Sequence, residues 1–380
     1  MFHFIILLCL LLSFQVTALA EQQPPKTVGF KVVTVVRGLN YPWSLAFLPD
    51  SSFLVTERGG RMLLFKNDGV TRVVRGLPQI TAKVQGGLLD VIPDPDFSTN
   101  RTIYFSYVAG RFGGTGTEVA RAVLDGTTLK NMKVIFRAEP KTKKPKHFGS
   151  RLLIAPDGKL FITLGDRGNK DWHSDSGKKH VAQDLSNHLG TIIRINRDGS
   201  IPKDNPFVGR KGYKPEIYTY GNRNVQGIAR HPETGAIWFH EHGPKGGDEL
   251  GILKAGANYG WPIVTYGIDY NGDIISYKTS APGIEQPLIQ WTPSIAPSGM
   301  TIYDGSAFPE WKNNIFIGAL VQRHLRRVIL QGNRVVGEEI LLKSLRERIR
   351  DVRTGPDGYL YVLTDSQNGR LLRLEPLSSP

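Results

Sequence analysis

Short runs of alternating apolar and polar residues recur along the chain, and six of them share one layout. Each is a strand, a turn rich in Pro, Asp and Gly, and a second strand. The first runs from Phe47-Leu48-Pro49-Asp50 into Phe53–Glu57, the second from Ile92–Phe97 into Ile103–Tyr107, and the third from Ile154–Gly158 into Leu160–Leu164. The fourth runs from Arg230–Gly235 into Ile237–Phe239, the fifth, more loosely, from Ile302 through Trp311 into Ile315–Ile317, and the sixth from Thr354–Gly358 into Leu360–Thr364. Period-two alternation marks half-buried strands. Pro presets φ, Asp bonds back to the backbone, and Gly takes the positive φ that closes the turn. Six such units, each with room for four strands, predict an all-β, six-bladed β-propeller with four-stranded antiparallel blades. A sandwich or barrel with frequent turns is the alternative. No long segment carries a helical period. The stretches 108–147, 166–190, 199–220 and 265–295 read as insertions, which gather on one face of such a fold.

The N-terminus changes the picture of where the protein works. Phe4–Phe14 is almost wholly apolar and is followed by Ala18-Leu19-Ala20, a small-x-small cleavage pattern. Residues 1–20 read as a signal peptide and 21–380 as a single propeller domain, exported to the periplasm or the medium with no membrane span in the mature form. The run is short for a bilayer span, and a retained anchor is the alternative. The one cysteine, Cys9, falls inside the leader, so the mature chain has no disulfide and no thiol chemistry.

The 380 residues carry 48 Lys and Arg against 34 Asp and Glu, a net charge of +14. The basic residues are dispersed apart from Lys141–Lys146, and no nucleic-acid motif accompanies them, so nucleic acid is not the expected partner. The charge suits an anionic ligand or an acidic partner protein.

Candidate chemistry borders the repeats. His147 precedes the third unit and Asp166 follows it. A carboxylate on one imidazole nitrogen fixes the tautomer and leaves the other nitrogen as a base. A structural histidine and a turn aspartate are the bland alternative. Gln85 precedes the second unit. Arg223 and Asn224 open the fourth and offer bidentate donors. Gly243, Pro244 and Glu249 follow it, with Tyr259 soon after, and carboxylates among glycines suit a hard, oxygen-bound cation such as Ca²⁺. Arg348 and Arg350 precede the sixth unit on one side of a strand, a costly pairing unless an anion lies between them. All these groups lie in different blades next to the repeated turns, so they are expected to converge on the central channel.

In these phrases, from Pro42-Trp43 through Gln85–Asp90, His147–Arg151, Gly165–Gly168, Gly221–Asn224, Asn258–Pro262 and Arg348–Val352, the chain resembles the soluble pyrroloquinoline quinone (PQQ)-dependent aldose sugar dehydrogenases of the glucose/sorbosone dehydrogenase family. The resemblance runs from about Pro42 to Leu374. It implies oxidation of an aldose at C1 to the lactone, with hydride passing to PQQ. It further implies His147 as general base, Asp166 as its orienting carboxylate, and Gln85 near the sugar C1 hydroxyl. PQQ contacts fall on Arg223, Asn224, Arg348 and Arg350, and Ca²⁺ ligands on the carbonyls of Gly243 and Pro244. Glu249 and Tyr259 match a further Ca²⁺ site. Two positions depart from the glucose dehydrogenase branch. Gln322 stands where that branch has a lysine touching PQQ, with Arg323 and Arg326 nearby, and Lys146 stands where it has an acidic sugar contact.

Three functions compete at this level: the sugar dehydrogenase, a catalytically silent propeller binding carbohydrate or protein, and a Ca²⁺-dependent propeller hydrolase. The last needs several acidic ligands on the channel, where this chain has Arg, His and Asn. The sequence leaves open the natural sugar, the electron acceptor, and whether the protein is a monomer or dimer.

Overall fold

The computed structural model describes residues 28–66, 68–172 and 179–377, so the expected leader with Cys9 lies outside the described residues. Six four-stranded antiparallel sheets follow one another along the chain. Blade 1 is Pro42–Phe47, Phe53–Glu57, Arg61–Phe65 and Thr71–Val73; blade 2 is Leu88–Pro93, Thr102–Arg111, Gly114–Asp125 and Thr128–Arg137. Blade 3 is Leu152–Ile154, Lys159–Thr163, Ile192–Asn196 and Ile217–Thr219; blade 4 is Val225–Arg230, Ile237–Glu241, Asp248–Ile252 and Ile289–Trp291. Blade 5 is Pro297–Ile302, Ile315–Ala319, His324–Gln331 and Arg334–Leu341. Blade 6 combines Ile349–Thr354, Leu360–Thr364 and Gly369–Pro376 with the N-terminal strand Phe30–Leu39, which pairs antiparallel to the last strand from Phe30 against Pro376 to Leu39 against Gly369. This pairing of the two chain ends closes the ring and leaves no unpaired edge between first and last blade.

All six repeated units are the inner hairpin of a blade: the innermost strand, the turn and the second strand. Each alternating strand has two buried faces, because blades stack face to face. One apolar cluster joins blades 1 and 2 through Leu54, Leu64, Val91 and Phe105, and another joins blades 5 and 6 through Phe316, Leu325, Val352 and Val362. The stretch 108–147 is only in small part an insertion. Its length comes from the strands of blade 2, which reach 12 residues in Gly114–Asp125. The 166–190, 199–220 and 265–295 segments are mostly loop. Among the described residues no helix is long and apolar enough to cross a membrane.

The central channel opens at both ends. The repeated turns surround one mouth, a cavity of about 850 Å³ lined by Pro49, Asp94, Pro156 and Pro356 with strand ends of all six blades. The other mouth, at the starts of the innermost strands, is a smaller cavity of about 240 Å³. A buried cluster separates them. Arg151 pairs with Asp90 at 3.3 Å and Asp351 at 3.1 Å, and Arg353 pairs with the same two carboxylates, each at 3.1 Å. Their remaining polar atoms bond across blades: Asp351 accepts the Leu45 amide, Asp90 the Leu152 amide, and Arg151 donates to the carbonyls of Gln226 and Arg350. Two cations and two anions plug the channel.

Candidate active site

The smaller mouth is lined by all six blades. Trp43 and Arg58 come from blade 1, Gln85 and Leu89 from blade 2, Phe148 and Gly149 from blade 3. Asn224, Gln226 and His242 come from blade 4, Ala296, Leu320 and Val321 from blade 5, and Arg348 and Arg350 from blade 6. Gln85, Asn224, Arg348 and Arg350, singled out in the sequence, line this cavity, while the repeated turns lie on the opposite face.

His147 sits on the loop entering blade 3 with φ of 53°, in the left-handed region. Its backbone N–H donates to the Gln85 side-chain oxygen at 2.8 Å, and its Nδ1 meets Asp166 Oδ1 at 2.6 Å. Asp166 is held from three more directions. Its Oδ1 accepts the Gly168 amide at 2.7 Å, its Oδ2 accepts the Trp261 indole N–H at 2.9 Å, and its own amide donates to the Arg223 carbonyl. Burial alone would raise the Asp166 carboxyl, but His147, Arg223 and these hydrogen bonds bring it below the usual carboxylate range. Burial, reinforced by Arg223, holds the His147 imidazole below its ordinary value against the pull of Asp166. An ionised Asp166 requires the proton of a neutral His147 to sit on Nδ1. Nε2, with no protein partner, is therefore the basic nitrogen. Gly165 permits the close approach: a Cβ there would lie 2.5 Å from the His147 carbonyl oxygen and 2.7 Å from Asn224 Oδ1.

Val84 next to Gln85 has φ of 55°, a strained conformation for a β-branched residue. It turns Gln85 out to the mouth while that side chain braces the histidine loop. Asn224 bonds the Gly149 amide through Oδ1 at 3.1 Å, tying blade 4 to the same loop.

The anion expected between Arg348 and Arg350 is a residue of the chain. Asp365 Oδ2 accepts from Arg348 Nε at 3.0 Å and from Arg350 Nη2 at 2.9 Å. One carboxylate against two guanidinium groups leaves positive charge, and Arg58 adds a third guanidinium on the same cavity. Arg350 Nε is buried with no hydrogen-bond partner among the described residues. Gln322, Arg323 and Arg326 do not line this cavity; Arg326 is paired with Glu338 at 3.0 Å.

Beside this mouth lies a cavity of about 10 Å³ bordered by Arg223, Glu241, Gly243, Glu249, Tyr259 and Trp261, among others. Glu249 stands directly opposite Glu241 in the antiparallel register. Burial, then Glu241 and Asp248, push the Glu249 carboxyl well above its ordinary value, and burial pushes Glu241 up as well. Glu241 is bonded by Asn222 Nδ2 at 2.7 Å and by the Arg223 amide. The Tyr259 hydroxyl is committed to the Ile252 carbonyl at 2.8 Å and the Lys254 amide at 3.0 Å. The Gly243 carbonyl accepts Arg223 Nη1 at 2.8 Å, and Asp248 fixes the Gly243 amide at 2.9 Å. Pro244 follows on this loop and is buried.

The family model for glucose/sorbosone dehydrogenases matches residues 39–373, which is all six blades apart from nearly all of the closing strand Phe30–Leu39 and the end of Gly369–Pro376. The chain belongs to the glucose/sorbosone dehydrogenase family. It is similar to the aldose sugar dehydrogenase YliI of Escherichia coli, with 42% identity over 359 residues, covering 93% of this chain and 94% of that one. It is more distantly similar to the quinoprotein glucose dehydrogenase B of Acinetobacter calcoaceticus, with 28% identity over 90% of this chain and 86% of that one. A crystal structure of a glucose dehydrogenase superposes with a TM-score of 0.86 at 46% identity, covering 90% of this chain and 99% of that one.

In this member of the glucose/sorbosone dehydrogenase family, four site residues escaped sequence reasoning: Arg58, Glu241, Trp261 and Asp365. Glu241 carried a signal, since His240-Glu241-His242 places an acid between two histidines at a strand end. Asp365 carried none, because its partners come from the neighbouring strand and only the fold brings them together.

Proposed function

We propose that the protein oxidises aldose sugars at C1 to the lactone, with PQQ as hydride acceptor and Ca²⁺ beside it. The observation that carries this reading is the buried His147–Asp166 pair, tied through the His147 amide to Gln85 on the wall of a cavity that also carries three guanidinium groups. A silent binding propeller has no use for an oriented neutral imidazole held ready to accept a proton.

The residues fit the cofactor. The partnerless Arg350 Nε, together with Arg58, Arg348, Asn224 and Gln226, offers donors to a flat ligand with several carboxylates. When bound, PQQ supplies a quinone that takes up the hydride, and Ca²⁺ a positive charge that favours its arrival. Arg348 and Arg350 orient the anionic ligand, Asn224 and Arg223 hold its edge, and Gln85 reaches the sugar hydroxyl from the mouth. His147 Nε2 removes the C1 hydroxyl proton, and Asp166 stabilises the imidazolium formed on Nδ1–H. Trp261 keeps Asp166 from turning away.

The donors also fit a hard cation. Two facing carboxylates with raised affinity for protons and a cavity of the size of one ion or water suit Ca²⁺ at Glu249 and Tyr259, with Glu241 as a further oxygen ligand. A cation held by the Gly243 and Pro244 carbonyls must share the first with Arg223.

Reconstitution tests the reading. Purified protein given PQQ and Ca²⁺ should reduce a small redox dye with at least one aldose in a panel; no PQQ binding and no dye reduction with any sugar would overturn it. A second prediction concerns the carboxylate pair. At free Ca²⁺ a hundredfold above Kd, binding should stabilise the fold by about 2.7 kcal/mol. Glu249→Gln should remove that increment while raising the melting temperature of the metal-free protein, because it relieves the repulsion from Glu241. Calorimetric melting with Ca²⁺ or a chelator measures both effects.

A further inference from the structure

A second cleft of about 390 Å³ lies beside the candidate active site, lined by Lys83, Arg111, Phe112, Lys143 and Phe148 among others. Phe148 lines both cavities, so one aromatic side chain forms their shared wall. Phe112 is 95% exposed at the tip of the hairpin joining Thr102–Arg111 to Gly114–Asp125. Lys83, Arg111 and Lys143 are exposed and have no acidic partner among the described residues. Nearby, Arg137 and Lys141 both pair with Glu118, Lys141 at 2.8 Å. Folding does not call for an exposed phenyl ring among unpaired cations. An apolar anchor with a charged rim is the pattern of a docking surface.

We propose that this cleft docks an acidic one-electron carrier protein that reoxidises the enzyme, an inference that rests on the sugar dehydrogenase reading. Each sugar oxidised to a lactone leaves two electrons and two protons on the protein's cofactor. Two carrier molecules in succession each take one electron, their redox centre falling by one unit, and both protons go to water. A carrier seated on Phe112 is separated from the cofactor cavity by the Phe148 ring. A net charge of +14 steers an acidic partner towards the protein, and the three free cations fix where it lands.

Cytochrome c and its succinylated form provide a matched pair of probes, one basic and one acidic, with the same haem. Titration calorimetry with the cofactor-free protein at low salt should show binding of the succinylated form only, weakening steeply as salt rises. The triple variant K83E/R111E/K143E should weaken it by about tenfold or more, and Phe112→Ser by a smaller factor. In the loaded enzyme, sugar-dependent reduction of the acidic cytochrome should fall by the same factor while small-dye reduction is retained. Equal binding of both cytochromes, no effect of charge reversal, or equal loss of dye and cytochrome reduction would each overturn the proposal. So would charge reversal that abolishes only the binding of phosphatidylglycerol vesicles, which would assign the surface to a membrane. If the parent protein reduces no dye with any sugar, the dehydrogenase reading fails by itself, and the calorimetric titration still decides what the cleft binds.

Discussion

Replacing His147 with alanine should lower sugar-dependent dye reduction by about 10²–10⁴-fold, the usual contribution of a positioned base, while leaving PQQ binding nearly unchanged. The imidazole touches Asp166 through Nδ1 and keeps Nε2 as the basic nitrogen, so its loss removes the proton acceptor. Asp166→Asn should be severe for a different reason. An asparagine amide facing Nδ1 can donate, which moves the imidazole proton to Nε2 and makes the base an acid. The pH profile separates this chemistry from mere damage. Burial and Arg223 hold His147 below its ordinary value, so the base stays neutral until the pH falls past its depressed pKa. The acid limb of kcat/KM should lie below about pH 6.5, the unperturbed imidazole value. A His147→Ala protein with full activity, or an acid limb above that value, would overturn the assignment.

The largest effect on stability should come from the channel plug. Asp351→Ala leaves the buried Arg151 and the part-buried Arg353 with half their countercharge and strips the Leu45 amide of its acceptor. Breaking a buried ion pair from one side costs about 3–5 kcal/mol, because the stranded charge cannot return to water. Urea unfolding should show a loss in that range. Asp125→Ala, which breaks an exposed pair with Lys130, should cost under about 1 kcal/mol by the same measurement. A second consequence links the plug to the site. Arg151 donates to the Arg350 carbonyl at 3.2 Å and stacks 4.0 Å from the Trp43 ring, so Asp351→Ala should also weaken PQQ binding through loosened cavity walls. Equal losses for Asp351→Ala and Asp125→Ala would show that the plug is no more than a surface-like network.

Alternation and turn chemistry in the sequence determined the six inner hairpins, since both are local: a period-two strand and a Pro-Asp-Gly turn act within ten residues. They also determined which strand ends carry the chemistry. His147, Asp166, Gln85, Asn224, Arg348 and Arg350 all border the inner hairpins; the fold brings Gln85, Asn224, Arg348 and Arg350 to one mouth and ties His147 to Gln85 and to Asp166. The sequence could not say that the repeated turns face the other way. That follows from strand direction within each blade, which only the assembled ring defines. Nor could it show that Phe30–Leu39 completes the last blade, a pairing across nearly the whole chain. The tertiary structure alone decided the partners of the charges. Asp365 neutralises part of the Arg348–Arg350 pair, Trp261 steadies Asp166 from 95 residues away, and Glu241 faces Glu249 across a strand pair. Electrostatic strength depends on separation and burial, and neither is written in residue order. The pattern of side chains dictated a propeller; packing six blades around one channel set the charges that the candidate site can hold.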